Sequence, residues 1–179
     1  MSPFPTPTWL DLGSGPVPVD GYTGVDRCHG ERVVYWDFTC SMDWPFERES
    51  IAGLRSSHLI EHLPPVNDRG NDILLHFFEQ AWRVAKPGSL FHLRWPVPFH
   101  PVTGMPVVSA WWDPTHYRHI PEQTIWSYCS REGRRAMGVE SYDVRCNWRP
   151  TRAFTVRTLN VEPLVLEYDV ELARAGWDE

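Results

Sequence analysis

The chain has 179 residues, and its hydrophobic fraction of 42% and charged fraction of 22% are typical of a globular domain and argue against a disordered chain. Its formal net charge of −6 argues against nucleic acid or an anionic membrane as the main partner, because both attract clustered positive charge. No apolar run reaches the roughly 18 residues of a membrane span, and no signal-peptide pattern opens the chain. We expect a single domain over residues 1–179, with an extended segment at 1–7.

Strand-like segments dominate the first half of the chain. The patterns predict strands at 8–12, 22–25, 32–36, 51–60 and 89–95, with a helix over 68–85 before the last of them. A second helix is predicted from Pro121 to about Arg131, followed by strands at 139–144, 153–159 and 164–172. The early strands end in Gly or Asp, which favours an open α/β sheet whose ligand lies at the carboxyl ends of its strands.

Three strand ends carry residues that suit an adenosine-containing cofactor. The turn Gly13-Ser14-Gly15 follows the first strand, and glycine lets the backbone approach a ligand where a side chain would clash. Asp26 ends the second strand and could accept hydrogen bonds from ribose hydroxyls. Asp37 ends the third strand and could accept one from an adenine amino group. Together, in this order, they predict a nucleoside-binding edge.

Longer strings of sequence resemble a known family. WLDLGSGP, GYTGVD, DFTCSMDWPF, SHLIEHL and RVAKPGSLFHLRWP occur in the order found in small class I S-adenosylmethionine-dependent methyltransferases of the type 11 group. The later DPTHYRHI is similar to a segment of bacterial and phage-borne members. The resemblance covers roughly residues 8–128. It implies a Rossmann-like, mostly parallel sheet and S-adenosylmethionine as the cofactor.

The resemblance also implies roles for individual residues. Those around the amino-acid end of the cofactor are Asp11, Gly13, Ser14 and Gly15. Asp26 would hold the ribose, while Asp37 and Phe38 would meet the adenine. Ser57 and His58 would form the floor of the pocket near the sulfonium.

The first crossover departs from the family pattern. Only residues 16–21 separate the glycine turn from the second strand, whereas a parallel crossover normally needs about ten residues or more. We therefore expect the first crossover helix to be missing, together with the helix dipole that would face the cofactor carboxylate.

The segment His58-Leu59-Ile60-Glu61-His62 matches the H-x-x-E-H pattern of some zinc proteases. Pro64 and Pro65 follow at once, so no long helix can carry the two histidines on one face. A metal site formed by His100, Asp113, His116 and His119 is conceivable, but these residues show no diagnostic spacing. The sequence therefore predicts no metal site.

Candidate general bases for the acceptor are His58, His116 and His119, since the ordinary pKa of histidine suits that role. Alternatively, His116 and Arg118 fasten a loop over the site.

The function expected from these residues is methyl transfer to oxygen or nitrogen of a small molecule, a sugar or a glycan precursor. The alternative is a non-catalytic methyltransferase-like binding or assembly module. Acidity and the absence of an Asn/Asp-Pro-Pro-Tyr-type strand end disfavour a nucleic-acid methyltransferase. Widely spaced cysteines without a signal peptide predict a cytoplasmic protein, and the sequence leaves the oligomeric state open.

Overall fold

The computed structural model describes residues 8–141, 143–151, 154–159 and 165–176. The segment 1–7, predicted to be extended, lies outside these residues. Within them the strands are β1 (Trp9–Leu12), β2 (Thr23–Asp26), β3 (Val33–Tyr35), β4 (Ile51–Ser57), β5 (Ala85–Pro96), β6 (Trp148–Pro150), β7 (Thr155–Leu159) and β8 (Val165–Arg174). The helices are α1 (Ile73–Val84), α2 (Val108–Trp112), α3 (Glu122–Cys129) and α4 (Arg131–Met137), with a 3₁₀ turn at Ile60–His62.

All eight strands belong to one sheet, in the order β3-β2-β1-β4-β5-β8-β6, with β7 also pairing with β8. Strands β1 to β5 pair in parallel, whereas β8 runs antiparallel to β5, β6 and β7. The predicted fold class, an open and mostly parallel α/β sheet, is confirmed. The carboxyl ends of β1 to β5 consequently lie along one edge.

The helix α1 begins at Ile73, five residues later than the sequence pattern suggested. Asn67 delays it, because its side-chain oxygen accepts from the backbone N–H of Asn71 and closes a turn. Asp72 then caps the helix by accepting from the N–H of Leu75. None of the described helices is long and apolar enough to span a membrane.

The strand predicted at 139–144 is wrong for the described residues of that segment, which form a turn and an irregular chain. The buried Val144 explains the strand-like pattern, because its side chain packs into the core without a strand neighbour. The N–H of Arg145 is satisfied by the side chain of Glu79 on α1 instead. The proline-rich loop after β5 contains the short helix α2, which the sequence pattern did not reveal.

The two faces of the sheet differ in chemistry. On β5, Phe91, Leu93 and Trp95 are fully buried, while the alternating His92 and Arg94 are only half-buried. The apolar face packs against α1, whose phenylalanine rings contact the ring of Phe91. The core therefore lies between this face and the helices.

The opposite face carries ion pairs between neighbouring strands. Arg94 of β5 lies 3.2 Å from Asp169 of β8, and His92 lies 3.1 Å from Glu171. Arg157 of β7 also reaches Asp169, over 3.2 Å. Residues 13–22, 27–32 and 36–50 are all described and contain no helix. The predicted absence of a first crossover helix is thus confirmed for these residues. The charged side chains are compatible with a sheet face that no such helix covers.

Candidate cofactor site

The glycine turn after β1 lies at the carboxyl edge of the sheet. Gly13 and Gly15 have φ values of 73° and 63°, in the left-handed region that glycine adopts without strain. The N–H of Gly13 donates to the carbonyl of Val25, 2.9 Å away, and joins the turn to β2. A Cβ added to Gly15 would meet no atom within 4 Å. Gly15 therefore presents its backbone to open space.

Asp26, at the end of β2, is bonded directly to this turn. Its Oδ2 accepts from the N–H of Gly15 over 2.9 Å, and its Oδ1 accepts from the N–H of Cys28 over 2.9 Å. A carboxylate oxygen has two lone pairs, so the carboxylate keeps the capacity to accept from a ligand hydroxyl. Gly15 and Asp26, each predicted to be a site residue, thus form one unit.

Asp11 is almost fully buried, at 3% exposed. Its Oδ1 is 2.8 Å from Nη1 of Arg55, and its Oδ2 accepts from the N–H of Val19 over 3.0 Å. Both oxygens are engaged within the protein, and they anchor the short loop between β1 and β2. The Ser14 hydroxyl likewise turns back, donating to the carbonyl of Gly15.

Asp37 and Phe38 follow β3 but point to different places. The Oδ1 of Asp37 accepts from both the N–H and the hydroxyl of Thr39, each over 2.8 Å. Phe38 is only 6% exposed, and its ring lies edge-on to Trp44 and Phe77 in the core. The ring of Phe38 is therefore unavailable for stacking on a ligand.

A cleft of about 460 Å³ opens beside these strand ends. Arg27 from the end of β2, Thr39 and Cys40 from beyond β3, His62 from beyond β4 and Tyr117 from beyond β5 line it. Sequence reasoning did not single out Arg27, Thr39, Cys40 or Tyr117. Their sequence positions could have indicated them. Arg27 directly follows Asp26, Thr39 and Cys40 come shortly after Asp37, and Tyr117 directly follows His116.

His58 follows Ser57, the half-buried last residue of β4, and lies between two buried carboxylates. Its Nδ1 is 3.2 Å from Oε1 of Glu61, and its Nε2 is 3.0 Å from Oε2 of Glu167. The hydrogen bond to Glu61 raises the pKa of His58, with Glu167 acting in the same direction against the opposing effect of burial. The geometry suits an imidazolium that donates on both sides.

The other two predicted bases lie in the loop after β5. Nδ1 of His116 is 2.8 Å from the carbonyl of Ala110, so this nitrogen carries the hydrogen and donates. The ring of His116 is 4.7 Å from that of His62, whereas the ring of His119 stacks 3.6 Å from that of Trp111. His58, His116 and His119 therefore contact three different sets of neighbours.

Arg118 fastens this loop to the segment after β4. Its Nη1 is 3.0 Å from Oδ2 of Asp72, and its Nη2 donates to the carbonyls of Pro64 and Pro65 over 3.2 and 2.6 Å. The N–H of Tyr117 also donates to the carbonyl of Glu61, 2.9 Å away. The loop is thereby held against the strand ends.

A mostly parallel sheet of this order, with one antiparallel strand inserted next to β5, is the fold of the class I S-adenosylmethionine-dependent methyltransferases. A methyltransferase of this kind from Archaeoglobus fulgidus superposes with a TM-score of 0.58 at 15% identity, over 93% of this chain and 85% of that one. One from Methanosarcina mazei gives 0.56 at 13%, over 93% and 92% of the two chains.

A third similar structure is the 1,6-didemethyltoxoflavin-N1-methyltransferase of Burkholderia thailandensis, solved with 1,6-didemethyltoxoflavin and S-adenosylhomocysteine bound. It superposes with a TM-score of 0.56 at 14% identity, over 94% of this chain and 71% of that one. The sequence matches no protein-family model and no curated protein. What the chain shares with these three enzymes is the fold.

Proposed function

We propose that this protein binds S-adenosylmethionine and transfers its methyl group to an oxygen or nitrogen of a small molecule, a sugar or a glycan precursor. The observation that carries the proposal is the hydrogen bond from Gly15 to Asp26 at the carboxyl edge of the sheet. It joins a glycine turn with open space beside it to a carboxylate with unused lone pairs. This is the combination that a ribose and its flanking chain require.

The remaining residues fit the cofactor in part. The open side of Gly15 would take the amino-acid end, and Asp26 would accept from the ribose hydroxyls. Because the ring of Phe38 is buried, the adenine would lie against Thr39 and Cys40 in the cleft. Asp11 would act by holding the loop around Val19 rather than by contacting the cofactor.

The bound cofactor would supply a methyl group already activated by the sulfonium, so the protein mainly has to position the acceptor. His58 would be a cation that donates one hydrogen bond to Glu61 and one to Glu167, and it would thereby hold the end of β4 in place. His119 stacks on Trp111, and its Nε2 is buried without a hydrogen-bond partner. Among the three candidate bases, His116 is the one whose ring contacts His62, a residue that lines the cleft.

The second candidate is a non-catalytic module that keeps the methyltransferase fold for binding or assembly. The absence of a helix from residues 13–22 favours it, since a helix N-terminus there would stabilise the cofactor carboxylate. We also infer a cytoplasmic setting, supported by the free thiols of all four cysteines.

Isothermal titration with S-adenosylhomocysteine tests the proposal. We expect micromolar binding that weakens at least tenfold in Asp26→Ala, as loss of one charge-assisted hydrogen bond predicts. Asp20→Ala is the matched control, because it removes a fully exposed carboxylate from the neighbouring loop, and it should leave the affinity within about twofold. Absence of binding to the wild-type protein at millimolar ligand would favour the non-catalytic module.

A further inference from the structure

Two histidines and a buried carboxylate converge beside the cleft. Glu61, His62 and His116 each place one ligand-type atom within 4.8 Å of the others. Glu61 and His62 belong to the 3₁₀ turn after β4, and His116 belongs to the loop after β5. Two imidazole nitrogens and one carboxylate oxygen are a common ligand set for divalent transition metals.

The carboxylate has an unsatisfied oxygen. The side chain of Glu61 is 2% exposed, and its Oε1 is engaged by His58. Its Oε2 is buried and has no hydrogen-bond partner. A buried carboxylate oxygen left unpaired is costly, so its presence in the cluster points to a ligand that completes it.

The imidazole of His116 is oriented as a metal-binding histidine usually is. Its Nδ1 donates to the carbonyl of Ala110, which fixes the ring and leaves Nε2 as the nitrogen that can coordinate a metal. Oδ2 of Asp113, a partly exposed carboxylate, lies 3.7 Å from this Nε2. His62 is held through Nδ1 by the carbonyl and the hydroxyl of Thr115, at 3.2 and 3.0 Å. His58 fixes Glu61 in the same way.

The two segments are also locked together through their backbones. The carbonyl of Glu61 accepts from the N–H of Tyr117 and from that of Arg118. The ligand atoms therefore come from elements whose relative position is set before any ion arrives. Such preorganisation is what a metal site built from two segments needs.

We propose that Glu61, His62 and His116 bind a divalent transition-metal ion of the zinc type. The sequence had predicted no metal site, because Pro64 and Pro65 prevent a long helix after His62 and the spacing of His116 is not diagnostic of a metal ligand. Three protein ligands leave a coordination position for water or for an oxygen of another molecule. His62 lines the cleft, so this position adjoins it.

A role for the ion in binding the methyl acceptor rests on the proposed function, whereas metal binding itself does not. Binding of S-adenosylhomocysteine and binding of Zn²⁺ are measured separately, so failure of one leaves the other standing. Ligation and proton abstraction would use the same nitrogen of His116, and a direct metal measurement separates the two roles.

The test is titration of chelator-treated, dialysed full-length protein with Zn²⁺. We expect one equivalent to bind, with affinity reduced at least tenfold in Glu61→Gln and in His116→Ala. His29→Ala is the matched control, since it removes an exposed imidazole that stacks on Tyr35. Its affinity should equal that of the wild-type protein.

Cys40 also lines the cleft, and a thiolate is a strong zinc ligand. Cys40→Ser should bind Zn²⁺ as the wild-type protein does, and the Co²⁺-loaded wild-type protein should show no thiolate-to-metal charge-transfer band. The Co²⁺ spectrum needs no substitution, so it remains decisive if a variant fails to fold. Such a band, equal affinity in Glu61→Gln, or no Zn²⁺ bound by the wild-type protein would overturn the proposal.

Discussion

Gly15 and Asp26 are eleven residues apart and joined by a hydrogen bond of 2.9 Å between the glycine N–H and the aspartate Oδ2. The bond fixes the turn after β1 to the end of β2 without an intervening helix. In a fold whose crossover helix normally positions the turn, this contact supplies a local substitute. Asp11 also holds this loop, because its Oδ2 accepts a hydrogen bond from the N–H of Val19.

Replacing Gly15 by Ala tests whether the turn binds the cofactor. The φ of 63° would cost an alanine about 1 kcal/mol or slightly more, although the added Cβ meets open space. Gly138→Ala is the matched control, because Gly138 has a φ of 69°, equally open space, and ends α4. Urea unfolding should show similar losses of stability in both variants.

Only Gly15→Ala should weaken binding of S-adenosylhomocysteine in isothermal titration. Equal affinities in the two variants would mean that the turn serves the fold alone.

The Asp11–Arg55 pair is expected to be structural. Arg55→Gln would leave a nearly buried carboxylate with one backbone donor, and we expect the free energy of unfolding to fall by about 2 kcal/mol. Arg32→Gln removes a guanidinium from an exposed pair with Asp20 and should cost less than about 0.5 kcal/mol. Denaturant unfolding of both variants measures the difference; comparable costs would show that burial of Asp11 does not matter.

The sequence predicted the local structure at the first two strand ends. Gly13 and Gly15 follow β1 and Asp26 ends β2, both strands that hydrophobic patterning can locate, and a turn or a strand end depends on few neighbours. It could not predict that Phe38 turns into the core, because the direction of that ring depends on Trp44 and α1.

Contacts between residues on different strands could not be predicted from the sequence either. Glu167 lies 109 residues from His58, and the sheet order that places β8 next to β5 brings them together. The pairing of His62 with His116 has the same origin, since their loops follow neighbouring strands β4 and β5. Side chains that meet through strand order leave no pattern in sequence spacing.

The thiol of Cys28 should report on Asp26. Hydrogen bonding and charge repulsion from Asp26 raise the pKa of Cys28, so less thiolate forms at a given pH. Asp26→Asn should lower that pKa, and alkylation of Cys28 by iodoacetamide should then reach its fast rate at a lower pH. Peptide mass spectrometry across a pH series measures this; an unchanged profile would rule out the interaction.

The buried cysteines provide an internal control in the same samples. Burial raises the pKa of Cys129 well above its ordinary value, and Cys146 is fully enclosed. Neither should be alkylated before the protein unfolds, at any pH in the series where it stays folded.

Asp72 connects the start of α1 to the loop that carries His116. Its Oδ1 caps the helix and its Oδ2 bonds Arg118, so Asp72→Ala should lower the free energy of unfolding by about 1–2 kcal/mol. It should also free the loop, because Arg118 loses its charged partner. Asp68→Ala, which removes an exposed carboxylate from the preceding turn, is the control.

Hydrogen exchange at the amide of Tyr117 measures this loosening, since that N–H donates to the carbonyl of Glu61. We expect the amide of Tyr117 to exchange faster in Asp72→Ala than in the wild-type protein, and at the wild-type rate in Asp68→Ala. Faster exchange together with weaker Zn²⁺ binding would mean that Arg118 positions His116 for its ligand. Unchanged exchange would mean that the backbone bonds between the two segments hold the loop without Arg118.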